Sequence, residues 1–467
     1  MLSIFDGNPV NRRRLLQAGA LTLGGLTLPS LLSRSSKAAN TPEHVTGKSI
    51  IFLFQQGGPS QFETYDPKPD APDAIRTVTD TIQTRTPGVH FGQHMRKLAQ
   101  LTDKLTVVRS FQTQNGGHNI QPIVGPHSND TNIGVHYSRV VGATNRFTGM
   151  PTTSVIYPAA VNDDVPGPSA RGNLLSTGSY PKSYAPFVPG GKGNLQSDMQ
   201  LSMSRDRFFN DRRSLLGKLD RIRRQVDSSG ELEAMDELQR QAYELLLGGG
   251  VSRALDLTQE DPKTLARYDT SNFATNGKWN KVNRGRAGMY DANAGTIGRL
   301  LLLAKRLCLA GCGFVTIHAS YAGVWDMHAD GNNLNMTDGM DAIGYSFDHA
   351  VSAFVEDLEA SGLSDQIQLV CLGEMGRTPK LNNRGGRDHW GKLSPLLAYG
   401  AGTTPGTVVG QSDKHGSEPS TTPYGPSHLI ASLLQTVFNV GELRLVPSAP
   451  STVLDLAQAD PINAIGY

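Results

Sequence analysis

The carboxyl-terminal half of the chain alternates between helical and extended hydrophobic patterns. Apolar residues at helical spacing predict helices over residues 293–310 and 342–360, each closed by a glycine, and a last helix over 428–438. Short continuous apolar runs predict buried strands between them, at 314–318, 367–372 and 396–399. This alternation is typical of an α/β fold, in which a doubly wound, mostly parallel sheet carries helices on both faces.

The amino-terminal half contributes two further predicted strands. Residues 49–55 form a buried run that ends in Gly57-Gly58, and residues 105–108 form a second run followed by a polar, glycine-rich loop. The chemistry of such a sheet belongs at the carboxyl ends of its strands.

A long middle region interrupts the alternating pattern. Residues 145–200 are dense in Pro, Gly and Ser and predict a surface excursion, whereas residues 205–247 have helical periodicity. We therefore predict a single domain over residues 39–467 with a helical and loop-rich insertion at about 145–290.

The first residues have the order of an export signal. Three arginines and two leucines (residues 12–16) precede an uncharged stretch over 18–32, and Ser36-Lys37-Ala38 offers a cleavage site. Paired arginines in this context predict a twin-arginine signal over 1–38. The alternatives are a membrane anchor or a buried helix, but the stretch is short and rich in Gly and Thr for a span. We expect a periplasmic or extracellular protein, with transient contact to the export machinery and no stable membrane span after signal removal.

Charge and cysteine content argue against several classes of partner and against a disulfide framework. The net charge is +2, but residues 1–38 carry +4, which leaves −2 for the remainder. A nearly neutral body gives no electrostatic reason to expect nucleic acid or an anionic membrane surface as a partner. The three cysteines, Cys308, Cys312 and Cys371, have apolar neighbours, and this favours buried free thiols over a disulfide framework.

Carboxylates and imidazoles cluster around three of the predicted strands, in the stretches WDMHAD (325–330), GEMGRT (373–378) and GRDHW (386–390). This combination suits Zn, Mn or Fe, and Mg or Ca where oxygen ligands dominate. The alternative is that Asp326 and Asp388 cap helices or turns and that His328 or His389 hydrogen-bonds within a loop. Arg377 either pins the neighbouring loop or binds an anionic substrate group. His318 has the pattern of a core histidine.

Common hydrolase signatures are absent from the sequence. There is no G-x-S-x-G elbow, no H-E-x-x-H and no phosphate-binding G-x-x-x-x-G-K-[ST]. No Cys or Ser is followed by x-[Pro/Ala]-x-Arg, which excludes a formylglycine-dependent sulfatase, and no Asp-Ser-Ala matches an alkaline phosphatase nucleophile.

Several stretches together resemble one protein family. They are GGPSQFETYDPKPDAP (57–72), VVRSF (107–111) with GGHN (116–119) behind it, WDMHAD (325–330), GEMGRTP (373–379) and GGRDHWG (385–391). In this order the chain resembles the exported bacterial proteins of domain of unknown function 1501 (DUF1501), which are grouped with the sulfatase and alkaline phosphatase superfamily.

The resemblance implies an alkaline-phosphatase-like α/β fold with a metal cluster at the strand ends. Carried over by position, the implied metal ligands are Asp326, His328, Glu374, Asp388 and His389. His118 falls at the position of the superfamily's nucleophile.

The chain departs from the superfamily pattern at the first strand. That strand usually ends in a metal-binding Asp, whereas here it ends in Gln55-Gln56, and Glu63 or Asp66 are the candidate substitutes. Many relatives have His where this chain has Gln61. No hydroxyl or thiol fills the nucleophile position, since Asn119 follows His118 and the nearest hydroxyl belongs to Thr113.

The leading hypothesis is an exported metal-dependent hydrolase of phosphate, sulfate or related esters, with a small-molecule or glycan ester as substrate. Zn or Mn fit best as the cofactor, with Mg or Ca as alternatives. His118 is the predicted base or nucleophile, and Arg377 the predicted clamp for the oxyanion. The alternative is a non-catalytic exported protein that keeps the fold and binds a glycan, an anion or a partner; a structural envelope protein is a third hypothesis.

Overall fold

The computed structural model describes residues 42–190, 250–275 and 282–466. The predicted export signal over 1–38 and the predicted helix over 205–247 lie outside the described residues.

The strands form one large sheet and two small hairpins. In chain order they are β1 (Ser49–Phe54), β2 (Thr81–Gln83), β3 (His90–Gly92), β4 (Leu105–Val108), β5 (Thr153–Ile156), β6 (Phe314–Ile317), β7 (Ile367–Leu372), β8 (Gly376–Arg377), β9 (His389–Trp390), β10 (Leu396–Gly400) and β11 (Thr407–Val409). Among the described residues, seven strands make the large sheet in the order β11-β4-β10-β7-β1-β6-β5. All neighbours are parallel except β10, which runs antiparallel to both β4 and β7.

Helices cover both faces of this sheet. In chain order they are α1 (Arg96–Ala99), α2 (Ile133–Val141), α3 (Gly250–Leu255), α4 (Pro262–Arg267), α5 (Arg284–Leu309), α6 (Met336–Ser361), α7 (Pro426–Val437), α8 (Val440–Arg444) and α9 (Ser451–Leu456). Short 3₁₀ turns connect them at Pro126–Ser128, Pro158–Ala160, Lys182–Tyr184, Leu257–Gln259 and Ser271–Thr275.

The central strand β1 shows why the sheet is buried on both sides. Ile51 and Leu53 point to the core that α5 and α6 cover, whereas Ile50, Phe52 and Phe54 point to the core that α2 and α7 cover. Because side chains alternate along a strand, a run that is apolar at every position needs cover on both faces. The predicted α/β class with a mostly parallel, doubly covered sheet is therefore confirmed.

The two long helices begin earlier than predicted. The Asn283 side chain caps α5 by accepting from the Arg286 N–H at 2.9 Å, and Asn335 caps α6 by accepting from Asp338 at 2.8 Å. Their first turns are rich in polar and glycine residues and lack the apolar stripe by which the sequence pattern finds a helix. The glycines predicted to end them do follow their last residues.

Two features of the sheet differ from the predictions. The stretch predicted as a surface excursion contributes the edge strand β5, whose Thr153–Ile156 pairs with Phe314–Ile317 of β6. Strand β10 lies where predicted but runs antiparallel to its neighbours. Its direction was not predictable, because a short apolar run carries no signal of strand direction. Cys308, Cys312 and Cys371 are buried free thiols, as predicted. Within the described residues, no helix has the length and apolarity required to cross a bilayer.

A buried ion pair joins the two long helices. Lys305 of α5 donates to Asp357 of α6 at 2.6 Å, with 8% and 7% of their side chains exposed, and Tyr268 donates to the same carboxylate at 2.8 Å. Removing the Lys305 cation leaves this buried carboxylate with the Tyr268 hydroxyl and the more distant, partly exposed Arg267, whose Nη1 lies 3.8 Å away.

We therefore predict that Lys305→Met lowers the free energy of unfolding by about 3–5 kcal/mol, measured by chemical denaturation. The matched control is Lys104→Met, which removes the partner of Glu359 at a site where the two side chains are 34% and 33% exposed. That variant should change stability by about 0–1 kcal/mol. Equal losses in the two variants would contradict the argument from burial.

Candidate metal centre

The carboxylate of Asp326 lies at the centre of the polar cluster at the strand ends. Its side chain is 1% exposed. Its Oδ2 accepts from His118 Nε2 at 2.8 Å and from His328 Nε2 at 3.1 Å. Its Oδ1 accepts from His389 Nε2 at 3.1 Å and from Arg377 Nη2 at 2.8 Å. Three imidazoles and one guanidinium thus converge on a single buried carboxylate.

Different elements deliver these side chains to the same edge of the sheet. Asp326 follows β6 and Glu374 follows β7, while His118 lies in the loop after β4. His389 precedes the antiparallel strand β10, so it reaches the edge where the parallel strands end. The β8–β9 hairpin then fixes its position by pairing His389 with Arg377.

His118 is held between two carboxylates. Its Nε2 contacts Asp326, and its Nδ1 lies 3.0 Å from Oε1 of the buried Glu374. Burial disfavours the charged imidazole, but the two carboxylate hydrogen bonds outweigh it and raise the pKa of His118. Glu374 in turn accepts from the Gly57 N–H at 2.9 and 3.1 Å.

The carboxylate of Asp326 is ionised in this environment. Burial alone would raise the pKa of Asp326, but the hydrogen bonds from the three imidazoles and the charge of Arg377 outweigh burial and hold the pKa well below its usual range. A buried, ionised carboxylate surrounded by imidazole nitrogens provides both the charge and the ligand types that Zn or Mn prefers.

The hydrogen bonds behind the imidazoles also fit a metal. One ligand atom each from His118, Asp326 and His389 lie within 4.8 Å of one another. The Nδ1 of His118 faces Glu374, and the Nδ1 of His389 faces the Gly116 carbonyl oxygen at 2.9 Å. With a metal bound, an acceptor at Nδ1 would keep the proton on that nitrogen and leave the Nε2 lone pair, which here faces Asp326, for the ion. The residues present therefore fit a divalent metal.

Arg377 is a structural member of the cluster. It is fully buried, and its guanidinium donates to Asp326 and to the carbonyl oxygens of Gly57, Gly58, Trp325 and Arg387. The side chain of Gln61 accepts from the Arg377 N–H at 2.9 Å and donates to the Arg377 carbonyl at 2.8 Å. Of the two roles considered for Arg377, the geometry favours pinning the loops over clamping a substrate oxyanion.

Some sequence candidates lie elsewhere. Asp388 is exposed and accepts from the Asn382 amide at 3.1 Å. Glu63 pairs with Arg387 at 3.2 Å, and Asp66 pairs with Lys68 at 3.2 Å, so neither compensates for the missing Asp at the first strand. His318 is buried beside Gln56, and burial lowers the pKa of His318 to about 4.

One contributor was missed by sequence reasoning. The Asn333 amide nitrogen lies 3.4 Å from Asp326 Oδ2, 3.3 Å from His328 Nε2 and 3.2 Å from Asp330 Oδ1. The only sequence signal for Asn333 is its place in the polar loop that follows WDMHAD. This signal is weak because Asn is common in turns.

The cluster forms one wall of an open cavity of about 470 Å³. The residues that line it are His118, Arg171, Asn283, Gly285, Arg286, Met289, Asp326, His328, Asp330, Asn332, Asn333 and His389. Among these described lining residues there is no Ser, Thr or Cys.

A family model described as a protein of unknown function (DUF1501) matches residues 47–442. The chain belongs to this family. The predicted family resemblance is thus confirmed, and the match spans the large sheet together with the Asp326 cluster. A search of curated proteins found no significant match.

Among solved structures, similarities are found to the PsFucS1 sulfatase from Pseudoalteromonas sp., at 11% identity over 89% of this chain and 71% of that chain with a TM-score of 0.36. The lipoteichoic acid synthase LtaP from Listeria monocytogenes is 10% identical over 92% and 77%, with a TM-score of 0.30. A TAB5 alkaline phosphatase mutant with bound Mg is 10% identical over 77% and 93%, with a TM-score of 0.27. Similarities this distant assign no activity.

The close approach of the first strand to the cluster gives a prediction about Gly57. Its φ is +120°, and a Cβ there would lie 2.8 Å from the backbone nitrogens of Trp325 and Asp326. We predict that Gly57→Ala lowers the free energy of unfolding by about 1–3 kcal/mol and weakens metal binding, because the loop that carries Asp326 must move. Thermal denaturation and metal titration measure the two effects.

Gly88→Ala is the matched control, because Gly88 also has a positive φ (+75°) but no atom within 4 Å of its Cβ position. It should retain metal affinity. Retained metal affinity in Gly57→Ala as well would show that the contact does not position the cluster.

Proposed function

We propose that this protein is an exported metal-dependent hydrolase of phosphate, sulfate or related esters. The observation that supports this most directly is the buried, ionised Asp326, which gathers three imidazoles at the wall of an open cavity. A cluster of this composition beside a cavity is the arrangement expected of a metal-assisted hydrolytic site.

His118, Asp326 and His389 would hold the metal, with His328 and Glu374 adjacent. A divalent ion in such a site polarises an ester oxygen and lowers the pKa of water. In this proposal His118 is a ligand rather than a base or nucleophile, because both of its nitrogens face carboxylates. The fixed partners of the imidazoles keep the cluster in one arrangement before a substrate enters.

The lining of the cavity favours attack by water over a covalent route. The described lining residues offer no hydroxyl or thiol as a nucleophile. His328 lines the cavity with its Nε2 3.1 Å from Asp326 and 3.7 Å from Asp330. Because its Nε2 donates to Asp326, its Nδ1 is the nitrogen that we assign to accept the proton that water loses.

The alternative of a non-catalytic binding protein draws on the same observation. A polar cluster in a cavity whose described lining offers no hydroxyl or thiol is suited to hold an anion or a glycan without converting it. Measurement of turnover separates the two functions.

The purified protein should contain at least one tightly bound equivalent of a divalent metal, measured by elemental analysis. With metal present, Asp326→Asn and His389→Ala should abolish turnover of aryl phosphate or aryl sulfate, because each removes a ligand of the cluster. Asp388→Asn, which changes the exposed neighbour of His389, should retain turnover.

Three outcomes would change the proposal. Less than one bound metal equivalent per protein would contradict the metal-dependent mechanism. Turnover by the Asp326→Asn variant would show that this carboxylate is not part of the active site. A metal-loaded protein that hydrolyses no ester in a broad panel but binds a ligand would establish the alternative function.

Export is proposed from the sequence of residues 1–38. Replacing Arg12, Arg13 and Arg14 by Lys keeps the charge but removes the paired arginines, so the protein should stay in the cytoplasm of a bacterial host on fractionation. Arg34→Lys is the control and should leave export unchanged. Unaltered export of the triple variant would show that the twin-arginine route is not used.

A further inference from the structure

Two arginines line the same cavity as the metal cluster, and neither has a carboxylate partner among the described residues. Arg286, in the first turn of α5, donates to the Ala322 carbonyl at 2.7 Å, the Asn332 carbonyl at 3.3 Å and the Asn333 amide oxygen at 2.6 Å. All three acceptors are neutral. The Arg171 side chain is exposed and has no hydrogen-bond or ion-pair partner among the described residues.

The carboxylates of the cavity are already committed to other groups. Asp326 is surrounded by imidazoles and Arg377. Asp330 Oδ1 accepts from the backbone N–H groups of Asn332 and Asn333, each at 2.9 Å. The charges of Arg171 and Arg286 therefore remain available to a ligand, and an anion entering the cavity gains from both.

The backbone of Arg171 is held by the neutral side chain of Gln56. Gln56 Oε1 accepts from the Arg171 N–H at 3.1 Å and from His318 Nε2 at 3.0 Å. Its amide nitrogen donates to the Asn119 carbonyl at 2.7 Å and to the Arg171 carbonyl at 3.4 Å. One buried amide at the end of β1 therefore ties the Arg171 loop to the loop that carries His118.

We propose that Arg171 and Arg286 form an anion-binding subsite that takes the phosphate or sulfate group of the substrate, and that Gln56 positions Arg171 in it. The assignment of a substrate group to this subsite rests on the proposed function. It restricts the proposed substrates to esters that carry a charged oxyanion. The two arginines would bind the substrate oxyanion, a role for which Arg377 is unsuited because its guanidinium is buried and bonded to protein acceptors.

An amide is required at position 56 for this arrangement. It accepts two hydrogen bonds and donates two, whereas a carboxylate of the same shape accepts but does not donate. Gln56→Glu would set a carboxylate oxygen against the Asn119 and Arg171 carbonyls and so displace the Arg171 loop.

The first test is binding, which needs no turnover. Isothermal titration of the purified, metal-analysed protein with inorganic phosphate and with inorganic sulfate should show binding of at least one of them. Arg171→Ala should weaken that binding by about tenfold or more, because a charge-assisted contact is lost. Arg85→Ala, at an arginine that is 61% exposed and outside the cavity lining, should leave it unchanged.

The second test is kinetic. With aryl phosphate or aryl sulfate, Arg171→Ala should raise KM more than it lowers kcat, whereas loss of a metal ligand lowers kcat. Arg286→Lys keeps a charge but loses the planar fork, and it should have an intermediate effect on anion affinity. Unchanged anion affinity and KM in Arg171→Ala would overturn the subsite.

Gln56→Glu tests the positioning role. It should reduce anion affinity as Arg171→Ala does, and combining the two substitutions should add little, because both act through the same side chain. Full additivity, or unchanged affinity in a folded Gln56→Glu protein, would overturn that role. Arginine-dependent anion binding without ester turnover would refute the proposed hydrolase while the subsite stands.

Discussion

The structure at the strand ends depends on one buried negative charge. Asp326 is enclosed by protein, and an ionised carboxylate there is tolerated because His118, His328, His389 and Arg377 all direct hydrogens at it. The need to satisfy this charge explains features that otherwise look unrelated. Arg377 is buried because it neutralises Asp326, and a glycine stands at position 57 because the first strand must pass against the backbone of the Asp326 loop.

The topology of the sheet makes this convergence possible. Parallel strands β1, β6 and β7 all end at the edge where Asp326 and Glu374 lie. Strand β10 runs the other way, so the segment before it, rather than the one after it, reaches this edge and brings His389. Had β10 been parallel, that segment would have started from the opposite edge, and His389 could not have reached Asp326 without a longer connection.

Local patterns predicted the parts of the fold that depend on local physics. The runs at β1 and β7 are apolar at every position because both faces of the sheet are covered, and the glycines after α5 and α6 mark where those helices end. The positions of Asp326, His328, Glu374 and His389 followed from their places beside strands. The direction of β10, the edge strand β5 and the contacts of Asn333 and Arg171 did not. They are set by packing between segments distant in sequence, and a single sequence carries no record of such pairings.

The end of the first strand supplies hydrogen bonds where the superfamily resemblance implies a metal-binding carboxylate. A carboxylate at this position would add a third carboxylate beside Asp326 and Glu374, whereas the strand here supplies neutral donors and acceptors. The Gly57 N–H fixes Glu374, which fixes His118, and the Gln56 amide fixes the loops of Asn119 and Arg171. With fewer carboxylates beside them, Arg171 and Arg286 have no acidic partner among the described residues, as the proposed anion subsite requires. The end of the first strand therefore positions neighbouring loops by hydrogen bonds and contributes no carboxylate. The two carboxylates of the cluster, Asp326 and Glu374, follow the strands on either side of it.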